Sequence, residues 1–68
     1  MKRNNLRLFR MQQGLLSKEM AEKLGVNHTY YSNVENGRID PSYSFCEKFG
    51  EIFKGLYEDF WVLFKKTE

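Results

Sequence analysis

Sixty-eight residues make one small domain, close to the lower limit for a chain that must build its own core. With 41% hydrophobic residues and a mean hydropathy of −0.64, no stretch approaches the roughly 20 apolar residues of a membrane span, so a spanning helix is excluded. The net charge of +2 is modest but uneven, with seven Lys/Arg against three Glu in residues 1–38 and four Lys against six acids in residues 39–68. The front half therefore either faces an anionic partner or is an ordinary solvated surface.

The start, Met1-Lys2-Arg3-Asn4-Asn5, runs into an amphipathic pattern without an apolar leader, which places the chain in the cytoplasm. Leu6 and Phe9 give helical spacing over about residues 4–13, stopped by Gly14. Met20, Ala21 and Leu24 line a second helix at 17–24, stopped by Gly25. Asn27 is an N-cap for a third, with Tyr31 and Val34 on its inner face and Asn36-Gly37 at its end. Asp40-Pro41-Ser42 opens a fourth with Cys46, Phe49 and Phe53 inward, and Gly55 breaks it. Tyr57, Phe60, Trp61 and Phe64 mark a fifth. Nothing alternates like a strand.

The expectation is an all-α fold, a compact five-helix bundle in one domain over residues 1–68. Its core would be Leu6, Phe9, Leu15, Met20, Ala21, Leu24, Val34, Cys46, Phe49 and Phe53. Cys46 reads as a small core residue. One cysteine and one histidine, His28, do not make a zinc site that wants about four ligands, so neither metal nor cofactor is expected. An enzyme is not expected either: no nucleophile is paired with a base, and no glycine-rich loop would cradle phosphate.

Residues 17–36 have helix, tight turn, helix spacing. Such a pair crosses at a steep angle through a short turn. It needs a small residue at the close approach (Ala21), a flexible one in the turn (Gly25) and apolar residues to lock the second helix (Val26, Tyr31 and Val34). The run Gly14-Leu15, Met20-Ala21-Glu22-Lys23-Leu24-Gly25-Val26, Ser32, Val34-Glu35-Asn36-Gly37 and Pro41-Ser42 resembles the phage-repressor and Cro-like (XRE) family of helix-turn-helix transcriptional regulators, without a gap in the spacing. The likeness extends through Leu6, Phe9 and Arg10 before it and Cys46, Phe49, Gly50, Phe53 and Glu58-Asp59-Phe60 after it.

The resemblance implies a third helix lying in the major groove of double-stranded DNA, its outward residues against base edges. The matching positions are His28, Thr29 and Asn33, with Ser32 and Tyr30 as weaker candidates; an Asn amide pairs with adenine and a Thr methyl meets thymine. Polar residues also sit there if the face is merely wet. Phosphate contacts are expected from Ser17, Asn36 and Arg38, which set register and affinity rather than sequence choice. Arg10 and Glu35 match the family's structural ion pair between the first and third helices.

The chain departs from the family's pattern in two places. Where a Thr or Ser cap followed by Gln is usual, it has Leu16-Ser17, so either Ser17 caps a late-starting helix or the end frays. Tyr31 replaces a branched aliphatic residue, and its hydroxyl needs a partner or a path to solvent. These departures and the weak net charge sustain an alternative: a protein-interaction module of the same fold, antitoxin-like or anti-repressor. Eight of the eleven aromatics lie after residue 42. If Phe49, Phe53, Tyr57 and Phe60 turn inward, Trp61 and Phe64, with Phe45 or Leu56, remain as an apolar patch on a C-terminal helix at about 56–66. That patch suits a two-fold homodimer with its third helices about one DNA turn (~34 Å) apart. The bland reading is a small core overfilled with aromatics.

Overall fold

The computed structural model describes residues 1–67. Five helices follow in chain order: α1 (Asn4–Gln12), α2 (Ser17–Leu24), α3 (His28–Glu35), α4 (Tyr43–Ile52) and α5 (Phe60–Phe64). No strand accompanies them among the described residues; Lys2 and Thr67 form one isolated antiparallel bridge that joins the two ends of the chain. No helix is long and apolar enough to cross a membrane.

Local signals in the sequence explain most of the boundaries. Gly25 adopts φ 70°, which lets the Val26 N–H reach back to the Ala21 carbonyl at 3.0 Å and turns the chain from α2 into α3. Asn27 caps α3, its Oδ1 accepting from the Thr29 N–H at 2.7 Å. Ser42 caps α4 by accepting from Phe45 N–H at 3.2 Å, and Asp59 caps α5 by accepting from Trp61 N–H at 2.9 Å. The fifth helix is accordingly shorter than the expected 56–66 segment, because Asp59 starts it late and Lys65 already has extended backbone.

The α2 start follows neither expected course. Leu16 occupies the N-cap without a side-chain cap, and Glu19 compensates by accepting the Leu16 N–H at 2.8 Å. A carboxylate three residues on thus takes up one free amide and places negative charge at the positive end of the helix dipole.

The core comprises Leu6, Phe9, Met20, Ala21, Leu24, Tyr31, Val34, Phe45, Phe49, Phe53 and Phe64. Leu15 and Cys46, expected inside, pack against this cluster but stay partly exposed. The correction at α4 is a rotation of the helix. Phe45, Phe49 and Phe53 follow one another at four-residue spacing, and that stripe is turned inward, leaving Cys46 at the rim. Phe45 and Phe64 therefore belong to the core at 3% and 8% exposure, not to a surface patch. Phe64 is edge-on to Phe49 at 5.0 Å and to Phe45 at 6.0 Å, and stacks on Phe60 at 4.5 Å. Such pairs add roughly 0.5–1.5 kcal/mol each beyond their buried area, which suits a chain with little room for aliphatic core.

A candidate DNA-binding face on the third helix

The inner side of α3 is fixed by a hydrogen-bonded triad of one ion pair and one phenol. Arg10 on α1 grips Glu35 with two hydrogen bonds, Nε to Oε2 at 2.9 Å and Nη2 to Oε1 at 3.2 Å, while its Nη1 donates to the Leu15 carbonyl at 2.8 Å. Tyr31, fully buried, donates its hydroxyl to Glu35 Oε2 at 2.7 Å, the partner its unusual position required. Burial first, and the bond to Glu35 second, push the Tyr31 phenol above its ordinary range, so it stays a neutral donor. The hydrogen bond to Glu35 raises Arg10 as well. Side chains at 12% and 11% exposure make this a largely desolvated pair, and every buried polar side-chain atom among the described residues has a partner.

On the outer side, His28 and Thr29 are exposed at the N-terminal end of α3, and Ser32 and Asn33 are half-buried one turn further on. The Ser17 hydroxyl and His28 Nε2 lie 2.8 Å apart, bringing together the first residues of α2 and α3. At the other end, Asn36 Nδ2 donates to Ser32 Oγ at 3.3 Å and Arg38 Nη1 reaches Asn33 Oδ1 at 3.5 Å. The structure thus brings His28, Thr29, Ser32 and Asn33 together, with Ser17 at one end and Asn36 and Arg38 at the other. Tyr30 is turned away from this group. Its ring packs 5.8 Å from Phe45 and its hydroxyl accepts the Ser42 N–H at 2.8 Å, which ties α3 to the start of α4.

The expected C-terminal patch is divided. Trp61 (77% exposed) and Tyr43 (81%) flank a shallow apolar groove floored by Cys46 and Phe60. Leu56 lines a separate groove with Leu8 and Val62.

Sequence reasoning missed Arg3, a guanidinium at 3% exposure. Its Nη1 donates to the carbonyls of Val34 (2.6 Å) and Ile39 (3.0 Å), its Nε to Phe64 O (2.8 Å) and its Nη2 to Asp40 Oδ1 (2.8 Å). No helical periodicity pointed to it, because Arg3 stands at the N-cap before α1 with non-helical backbone.

A helix-turn-helix family model matches residues 6–59. Two curated relatives are each 30% identical over 60 residues. One is an uncharacterized helix-turn-helix-type transcriptional regulator of Archaeoglobus fulgidus, with 88% of this chain and 86% of that protein aligned. The other carries the same description and comes from Methanocaldococcus jannaschii, with 88% and 91% aligned. No solved structure matches significantly.

Proposed function

The chain belongs to the helix-turn-helix family of DNA-binding regulators of the XRE type, and we propose that it regulates transcription by laying α3 in the major groove of a specific operator. His28, Thr29 and Asn33 read base edges, Ser32 supports them, and Ser17, Asn36 and Arg38 hold phosphates on either side. One observation carries this reading: the outward polar side chains of α3 stand on a helix pinned from behind by Arg10, Glu35 and Tyr31. Pre-organised donors and acceptors lose little freedom when they meet bases. Tyr30, engaged with Ser42 and Phe45, acts as a support for α3 rather than as a base contact.

One such helix offers few side chains to a groove, so a pair of copies on a pseudo-palindromic site in the cytoplasm completes the reading. The groove between Tyr43 and Trp61 is the face on which the two copies meet, in place of the wider patch that included Phe45, Phe64 and Leu56. Trp61→Lys is expected to convert a dimer to a folded monomer in sedimentation at micromolar concentration and to weaken operator binding. A wild-type protein that sediments as a monomer and occupies a single half-site overturns the dimer.

A second reading, the protein-interaction module, draws support from Glu19, whose carboxylate occupies the α2 N-terminus where a phosphate would dock. A salt titration on random duplex separates the two. Phosphate contacts make affinity fall steeply with salt, and Arg38→Ala then lowers the slope by about one. Binding indifferent to salt favours the protein partner.

A further inference from the structure

We infer that Arg3 is a positioning residue for DNA binding, holding the loop at 36–39 in place from the junction of the two chain ends; this rests on the DNA reading above. Helix ends leave their last carbonyls without intrahelical partners, and one buried guanidinium here serves two of them. Nη1 takes Val34 O at the end of α3 together with Ile39 O beyond the loop, while Nε takes Phe64 O, the last residue of α5. The Arg3 backbone N–H adds a bond to Glu35 O at 2.8 Å. The preceding residues close the junction. The Met1 carbonyl lies against Gly37 so closely that any Cβ there would collide with it, and Gly37 has φ 74°. Lys2 pairs with Thr67 through the isolated bridge. The amino-terminal arm is thus threaded between the end of α3 and the C-terminal segment.

What this junction orients is the stretch that carries Asn36 and Arg38. The Arg38 and Ile39 amides both return to Asn33 O, at 2.9 and 3.4 Å, and the Arg3 guanidinium fixes the carbonyl on the far side of that turn. A cation at the carbonyl end of a helix is also favoured by the dipole. Without Arg3, the carbonyls of Val34, Ile39 and Phe64 lose a shared donor, and the phosphate-contacting side chains lose their common frame. Arg3 itself is too buried to reach DNA.

The test uses the full chain with random-sequence duplex as probe. It compares wild type, Arg3→Met, Arg38→Ala, the double variant, and Phe53→Leu as a core change remote from the loop. Arg3→Met is expected to speed amide exchange at Arg38 and Ile39 about tenfold beyond any global loss of protection and to flatten the salt slope by up to about one. Phe53→Leu should leave the slope unchanged, and the double variant should lose no more slope than Arg38→Ala alone. If Arg3→Met does not fold, Arg3→Lys is read by the same measures, with smaller shifts because one ammonium cannot span the same carbonyls. A wild-type slope and wild-type loop exchange in the folded Arg3 variant overturn the inference alone, as do additive slope losses in the double variant. Wild-type protein without salt-dependent duplex binding overturns the DNA reading and this inference with it.

Discussion

At its N-terminal end α3 is held by neutral contacts: the Asn27 cap on the Thr29 amide, the exposed pair Ser17–His28, and Tyr30 on the Ser42 amide and the Phe45 ring. At its C-terminal end three side chains from other parts of the chain or the preceding turn converge: Arg10 and Tyr31 on the Glu35 carboxylate, and Arg3 on the Val34 carbonyl. The proposed base-reading positions begin at the end without a charged contact and run toward the clamped one. Folding and recognition thus draw on different parts of the same eight-residue helix. A segment this short is not stable alone, so its far end is fixed by tertiary contacts while its near end keeps side chains free for a groove.

The largest effect should come from breaking the clamp. Arg10→Met leaves the Glu35 carboxylate desolvated without its cation and is expected to cost about 3–5 kcal/mol in urea denaturation. Arg10→Met combined with Glu35→Leu should cost less than Arg10→Met alone; additive losses would show that the two side chains act independently. The clamp also has a pH signature. The unfolded chain releases the Tyr31 proton near the ordinary value of 10.0, whereas the native state retains it. Native Tyr31 therefore binds the proton more tightly, and stability declines as pH rises above about 10. Tyr31→Phe should remove that part of the decline in a series of thermal melts.

The outward positions should show smaller effects of a different kind. Thr29→Ala and Asn33→Ala are each expected to cost about 1–3 kcal/mol of binding at the cognate site, with little loss on random duplex. Equal losses on specific and random DNA would remove both residues from base reading. The smallest effect belongs to the cap: Asn27→Ala should lower stability by about 1 kcal/mol, measured by thermal melting. A loss as large as that of Arg10→Met would mean that the two ends of α3 are equally critical, and the contrast between them would fail.

What depends on near neighbours could be read from the residues alone. Helix boundaries were legible because caps and stops are local: Asn27, Ser42, Gly25 and Gly37 act within a few residues of their own positions. The Arg10–Glu35 pair was legible through the family resemblance, and the structure brings the two side chains into a two-point contact. Only the tertiary structure decided which way α4 rotates. Cys46, Phe49 and Phe53 make as good a stripe as Phe45, Phe49 and Phe53, and the choice falls to Tyr31 and Phe64, which flank Phe45 from distant points in the chain. That rotation removed Phe45 and Phe64 from the surface and left Trp61 and Tyr43 there. Arg3 was beyond reach for the same reason. An arginine near the start of a chain looks like a solvated cation until folding brings the carbonyls of residues 34, 39 and 64 around it, and periodicity along the sequence does not encode that convergence.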